Sequence, residues 1–141
     1  DERAPASAEE LRGLRADPRA HLVGPVAEVA GYYALMSVCV LPSRYEGLPN
    51  VALEAAAMRV PVVATRIPGT VDAVVDSVTG SLVPADDAAA VAAAVERYLL
   101  SSDLRAQHGS AARERMIALF QPSQMWSALL VEYRCLLAEL K

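Results

Sequence analysis

Two continuous apolar runs, Val38-Cys39-Val40-Leu41 and Val60-Pro61-Val62-Val63-Ala64-Thr65, stand out in a chain whose other apolar residues fall mostly at helical spacing. A run without polar alternation marks a strand covered on both faces. Between them, residues 50–58 predict a helix. Upstream, Leu22-Val23-Gly24 predicts a short strand, and Val26, Val29, Tyr33 and Met36 predict a helix over 26–36 that Gly31 weakens. Downstream, a loop over 66–70 leads to a short helix over 71–76, a Thr79-Gly80 turn and a strand over 81–83. Asp86-Asp87 caps a helix with Val91, Val95, Tyr98 and Leu99 on one face. Ser102 or Asp103 caps the next, over 104–119, with Gly109 as its weak point. Ser123 caps a last helix striped by Met125, Leu129, Leu130, Tyr133, Leu136, Leu137 and Leu140.

Residues 1–20 form a polar, alanine-rich lead-in, partly helical, in which Ser7 caps a helix that stops before Pro18. Strands alternating with helices predict an α/β fold: a Rossmann-like parallel sheet with helices on both faces. Three or four short strands are few for that architecture. Nothing before His21 reads as its opening strand, so the sheet is expected to be incomplete.

Composition narrows the function. With 141 residues, 54% hydrophobic and 21% charged, the chain is no disordered tail. No apolar run approaches the ~18 residues of a membrane span and no N-terminal apolar segment reads as a signal, so a soluble cytoplasmic protein is expected. The net charge of −4 and the scattered arginines do not form a nucleic-acid footprint. The single lysine, Lys141, leaves lysine chemistry without a candidate. Cys39 and Cys135 sit among apolar neighbours and are expected to be buried packing residues. His21 and His108 accompany no cysteine pair, so no metal site is expected. Dinucleotide, P-loop, nucleophile-elbow and zincin motifs are absent.

The informative stretch runs from Pro42-Ser43-Arg44-Tyr45-Glu46-Gly47-Leu48-Pro49-Asn50 into Val51-Ala52-Leu53-Glu54-Ala55. It follows a buried strand, and ligands of open α/β sheets bind beyond the carboxyl ends of strands. Asn50 reads as an N-cap, leaving the first helical N–H groups and the positive dipole end for an anion. Gly47 permits close approach or positive φ before it. One carboxylate, Glu46 in the loop, suits a sugar hydroxyl; the other, Glu54 one turn into the helix, suits a ribose. Equally, Glu54 can serve the helix dipole and Glu46 can be a solvated loop residue.

These residues, with Pro61-Val62-Val63-Ala64-Thr65, resemble the retaining glycosyltransferases of the GT-B fold, family 4 (glycosyl transferases group 1), and Glu46 and Glu54 match that family's E-x7-E motif. The likeness covers residues 20–137, with Tyr32-Tyr33, Pro68-Gly69, Asp72 and Tyr133 in family order. It implies that residues 21–141 are the nucleotide-sugar-binding domain, the C-terminal half of a GT-B fold. By that resemblance Glu46 is the catalytic residue and contacts the donor sugar. Gly47 and Leu48 offer N–H groups to the diphosphate, with Pro49, Asn50 and Val51 around it, and Glu54 bonds the ribose. The donor is a nucleotide-diphosphate sugar, with no further cofactor and no metal.

The sequence also departs from the family. Arg59 stands where a glycine is usual, so that turn is expected to be built differently. Met36-Ser37 replaces an Ala-Asp pair, and Asp72 a glutamate. The N-terminal acceptor-binding domain and the Arg and Lys that neutralise the leaving diphosphate have no match here; Arg44 and Arg66 are candidate surrogates, with Gly69 beside them. The expectation is a hexosyltransferase-type donor half that is inactive alone. Its sugar, lipid or small-molecule acceptor binds the other half, and peripheral membrane association is left open for the full enzyme. The alternatives are a non-catalytic nucleotide-sugar-binding or docking module, and a plain α/β interaction domain.

Overall fold

The computed structural model describes residues 7–139; Leu140, Lys141 and residues 1–6 lie outside them. Three strands, β1 (Cys39–Leu41), β2 (Val62–Thr65) and β3 (Gly80–Val83), form one parallel sheet in that order, with Cys39 beside Val62 and Val62 beside Gly80. All four β2 residues are buried, which is why this run contains no polar alternation. Helices cover both faces of β2, but β1 lacks the two-sided cover its apolar run predicts, because Val40 is 40% exposed. Val62 and Ala64 point into a cluster with Tyr33 of α2 (Ala30–Leu35) and with Ala52 and Ala55 of α3 (Asn50–Ala57). Val63 points the other way, toward Val83 and toward Ala94 and Tyr98 of α5 (Ala88–Leu100). Each fully covered valine contributes about 1.5–3 kcal/mol.

The remaining helices are α1 (Ala8–Ala16), α4 (Thr70–Ala73), α6 (Ser102–Leu119) and α7 (Pro122–Glu139). Ser7 caps α1 in a reciprocal capping box with Glu10. Helix α6 lies against α3 at Gly109, where any Cβ would overlap the Arg59 carbonyl oxygen. Gly109 is therefore a packing requirement rather than a weak point. Arg113 of α6 reinforces the contact by donating to the Ala57 carbonyl at the end of α3.

Several expectations change. Leu22-Val23-Gly24 is not a strand: Leu22 and Val23 are about half exposed, and among the described residues no neighbouring strand offers them a ladder. Helix α2 is shorter than predicted. Helix α4 starts at Thr70 and releases Asp76, which bridges to Gly80 instead. Asp87 alone caps α5, through the Ala90 amide, while Asp86 takes φ 60 and pairs with Arg44. Ser101 caps α6, and Pro122 opens α7 in place of Ser123, as a first-turn proline without an N–H can. Cys39 is buried, but Cys135 is exposed along with its apolar neighbours on α7. Arg59 adopts φ 60, so the turn after α3 is the left-handed one a glycine would make, built with an arginine.

Candidate functional site

The carboxyl ends of all three strands converge. From β2, the Thr65 hydroxyl donates to the Ser43 carbonyl beyond β1, and the Arg66 amide donates to Val83 of β3 at 2.8 Å. Thr70, fully buried, donates to the Thr65 carbonyl at 2.5 Å and accepts the Ile67 amide at 3.2 Å, shaping the loop after β2. Gly69 in that loop has φ 86 and packs beneath the Glu46-Gly47 backbone. An open cleft of about 1280 Å³ lies over this junction, between residues 42–46, the start of α5 and one face of α1.

Glu46 lines the cleft and is held at 2.7 Å by the Ser43 hydroxyl, which donates to its Oε1. Of the two roles expected of Gly47, positive φ and room for close approach, only the second fits its geometry. Its φ is not positive, and the place a Cβ would occupy has no atom within 4 Å. Its carbonyl is the surface Gly69 packs on, while its open side faces solvent beside the start of α3. Asn50 is not the N-cap either: Pro49 is, with φ −74 and ψ 106, and its carbonyl accepts from the Ala52 amide. Proline suits a helix start, where its missing N–H costs nothing. No side chain caps α3, so the first-turn amides of Asn50 and Val51 keep the anion-binding character expected of a helix N-terminus. Leu48 is exposed beside them and Pro49 is buried.

Glu54 does not line the cleft. It is exposed on α3, and Tyr33 Oη donates to its Oε2 at 3.0 Å. Arg44 and Arg66, the candidate cations, both have acidic partners: Arg44 pairs with Asp86 at 2.8 Å and Arg66 with Asp76 at 2.5 Å. Exposed pairs of this kind contribute about 1 kcal/mol or less. The Leu82 amide, assisted by Arg66, holds the Asp76 carboxyl below the usual aspartate range.

The chain matches the family profile described as glycosyl transferases group 1 over residues 1–101. It belongs to that family. The capsular polysaccharide biosynthesis glycosyltransferase CapM of Staphylococcus aureus is 33% identical over 126 residues, covering 89% of this chain and 33% of CapM. The sucrose-phosphate synthase structure from Thermosynechococcus elongatus superposes with a TM-score of 0.87 at 35% identity, over 99% of this chain and 37% of that one. HepE of Anabaena, solved in complex with UDP-glucose, shares the fold at a TM-score of 0.78 and 20% identity, over 87% of this chain and 35% of HepE. The chain thus spans about a third of the length of these relatives.

In this chain the parallel α/β sheet matches GT-B glycosyltransferase structures, as the strand pattern predicts. The structure brings Glu46, Gly47, Gly69 and the start of α3 together and sets Glu54 one turn further along that helix. Ser43 and Tyr33, each bonded to one of the two glutamates, are the residues that sequence reasoning passed over. Both lie in the family-like pairs Pro42-Ser43 and Tyr32-Tyr33. Ser43 lies three residues before Glu46, which was the available signal; nothing local links Tyr33 to Glu54. Among the described residues no helix is long and apolar enough to cross a membrane.

Proposed function

We propose that this chain is the donor-binding part of a retaining, family 4 glycosyltransferase of hexosyl type, moving a sugar from a nucleotide-diphosphate sugar to an acceptor in the cytoplasm. One observation carries the reading: a loop at the carboxyl end of the sheet presents Glu46, held by Ser43, beside an open glycine and an uncapped helix N-terminus. The diphosphate rests on the Gly47 and Leu48 amides and the first turn of α3, where the helix dipole opposes its charge. Glu46 accepts from hydroxyls of the donor sugar and stabilises positive charge as the bond to phosphate breaks. The acceptor hydroxyl attacks from the leaving-group face and passes its proton to the departing phosphate. Glu54 accepts from the ribose. The complex of HepE with UDP-glucose supports a nucleotide sugar as ligand.

Arg44 and Arg66 already pair with Asp86 and Asp76, and in this reading a longer polypeptide supplies further cations that balance the leaving diphosphate. The exposed apolar side chains of α7, Trp126 and Met125 among them, support the same reading, as does the chain's share of its relatives. That polypeptide supplies the site for a sugar, lipid or small-molecule acceptor.

Titration of residues 1–141 with UDP, GDP and ADP tests the binding role, and heat with none of them overturns it. A transfer assay on the same chain is expected to show little turnover; robust transfer overturns the need for a second half. NMR of the product made by the natural-length protein reads the anomeric configuration, and inversion refutes retention.

A further inference from the structure

Tyr33 is an α2 residue with 6% of its surface exposed, its ring packed in the cluster with Cys39, Ala52 and Ala55. Its hydroxyl reaches out of that apolar setting to α3. Two oxygens are within range, Glu54 Oε2 at 3.0 Å and the Val51 carbonyl at 3.4 Å. A phenol has one proton, and the shorter, charge-assisted bond to the carboxylate takes it. Burial and the adjacent Glu54 push the Tyr33 phenol well up, so it stays a donor across the working pH range. Glu54 itself is exposed, and an exposed glutamate on a helix samples many rotamers unless something holds it.

We propose that Tyr33 is a positioning residue for the donor nucleotide: it holds Oε2 of Glu54 and so presents Oε1 to the ribose hydroxyls of a nucleoside diphosphate. The proposal rests on the reading of Glu54 as the ribose ligand. It makes the ribose the part of the donor that the Tyr33–Glu54 pair senses. A tyrosine that served only to fill the core would leave the ribose preference untouched.

The test uses the natural-length protein and compares UDP, GDP and ADP with their 2′,3′-dideoxy counterparts by calorimetry. The wild type is expected to prefer the ribo form. Tyr33→Phe, which removes only the hydroxyl, is expected to weaken the ribo form about tenfold while leaving the dideoxy form within about twofold. In a Glu54→Gln background the same change is expected to do nothing further. If the wild type prefers the ribo form and Tyr33→Phe keeps that preference, or weakens both forms alike, the positioning role falls while the ribose site stands. A wild type that binds both forms equally overturns the ribose site and the inference with it.

Discussion

The Gly69 α-carbon packs onto the Gly47 peptide so closely that a Cβ at position 69 would overlap the Gly47 carbonyl oxygen and lie 2.6 Å from that of Glu46. The loop after β2 is thus the floor on which the loop after β1 rests. Gly69 also sits at φ 86, where an L side chain is strained. Gly69→Ala therefore meets two penalties, an unfavourable backbone and a collision with backbone atoms that cannot swing away. Urea unfolding is expected to show a loss of about 2–4 kcal/mol. A midpoint within experimental error of the wild type would show that the two loops can separate.

Gly47 is the converse case. Its backbone conformation is open to any residue, and nothing lies within 4 Å of its missing Cβ. Gly47→Ala is expected to leave stability unchanged or to raise it by up to about 1 kcal/mol, because it restricts the unfolded chain. The same methyl would occupy the space assigned to the diphosphate. Affinity for the nucleoside diphosphate is expected to fall at least tenfold, about 1.4 kcal/mol. Calorimetry beside urea unfolding separates the two effects, and wild-type affinity in Gly47→Ala would move the diphosphate elsewhere.

Much of this was legible because it depends on local composition. The run around Val63 is apolar without alternation because both faces of β2 are covered, but the run around Val40 misled, since Val40 of β1 is 40% exposed. The Glu46 loop was legible because strand ends and helix starts have characteristic residues. Leu22-Val23-Gly24 misled because a strand exists only with a partner, and three residues do not state whether one is present. Asn50 misled because Pro49 fits the start of α3 as well as asparagine does. Cys135 has the helical period of a core residue, but the period identifies a face and not what covers it. The bond from Tyr33 to Glu54 spans 21 residues and exists only once α2 packs on α3, so no local pattern announces it.

Glu54→Gln keeps the shape of the side chain and removes its charge. A hydrogen bond to a charged group is worth about 1.5–3 kcal/mol, and nucleoside diphosphate binding is expected to weaken by that amount. Glu54 is exposed and not in the core, so thermal unfolding is expected to change little. An unchanged dissociation constant would leave Glu54 as a surface residue of α3 bonded to Tyr33, with no part in holding the ribose.

Arg59 occupies a left-handed position, φ 60, at the turn where its carbonyl meets Gly109. Such a conformation costs a non-glycine residue about 1–2 kcal/mol. Glycine relieves it but gives up some of the gain to the greater freedom of the unfolded chain. Arg59→Gly is expected to stabilise the protein by about 0.5–1 kcal/mol in urea unfolding. The Arg59 side chain is exposed, so little packing is lost. A destabilised variant would mean that the guanidinium holds a contact of greater worth.

His108 of α6 is buried against Tyr98 of α5. Its Nδ1 is 2.8 Å from the Tyr98 hydroxyl, which in turn lies 3.1 Å from the Ser81 hydroxyl of β3. Burial, with the positive charge of Arg97 as a lesser cause, depresses the imidazole below its ordinary value. The unfolded chain therefore takes up a proton near pH 6.5 while the folded protein resists it. Stability from this group is complete above that pH and declines as the pH falls below it, until the folded imidazole also protonates. One proton limits the slope to about 1.4 kcal/mol per pH unit. Asp76, whose carboxyl is also held low, acts in the same direction but only below the ordinary aspartate value near 3.9, outside this window. Urea unfolding at pH 7.5 and 5.5 is expected to show the wild type weaker at the lower pH. His108→Gln, which cannot take up a proton, is expected to be less stable at pH 7.5 but to lose less on acidification. Equal pH dependence in the two proteins would place the acid-sensitive group elsewhere.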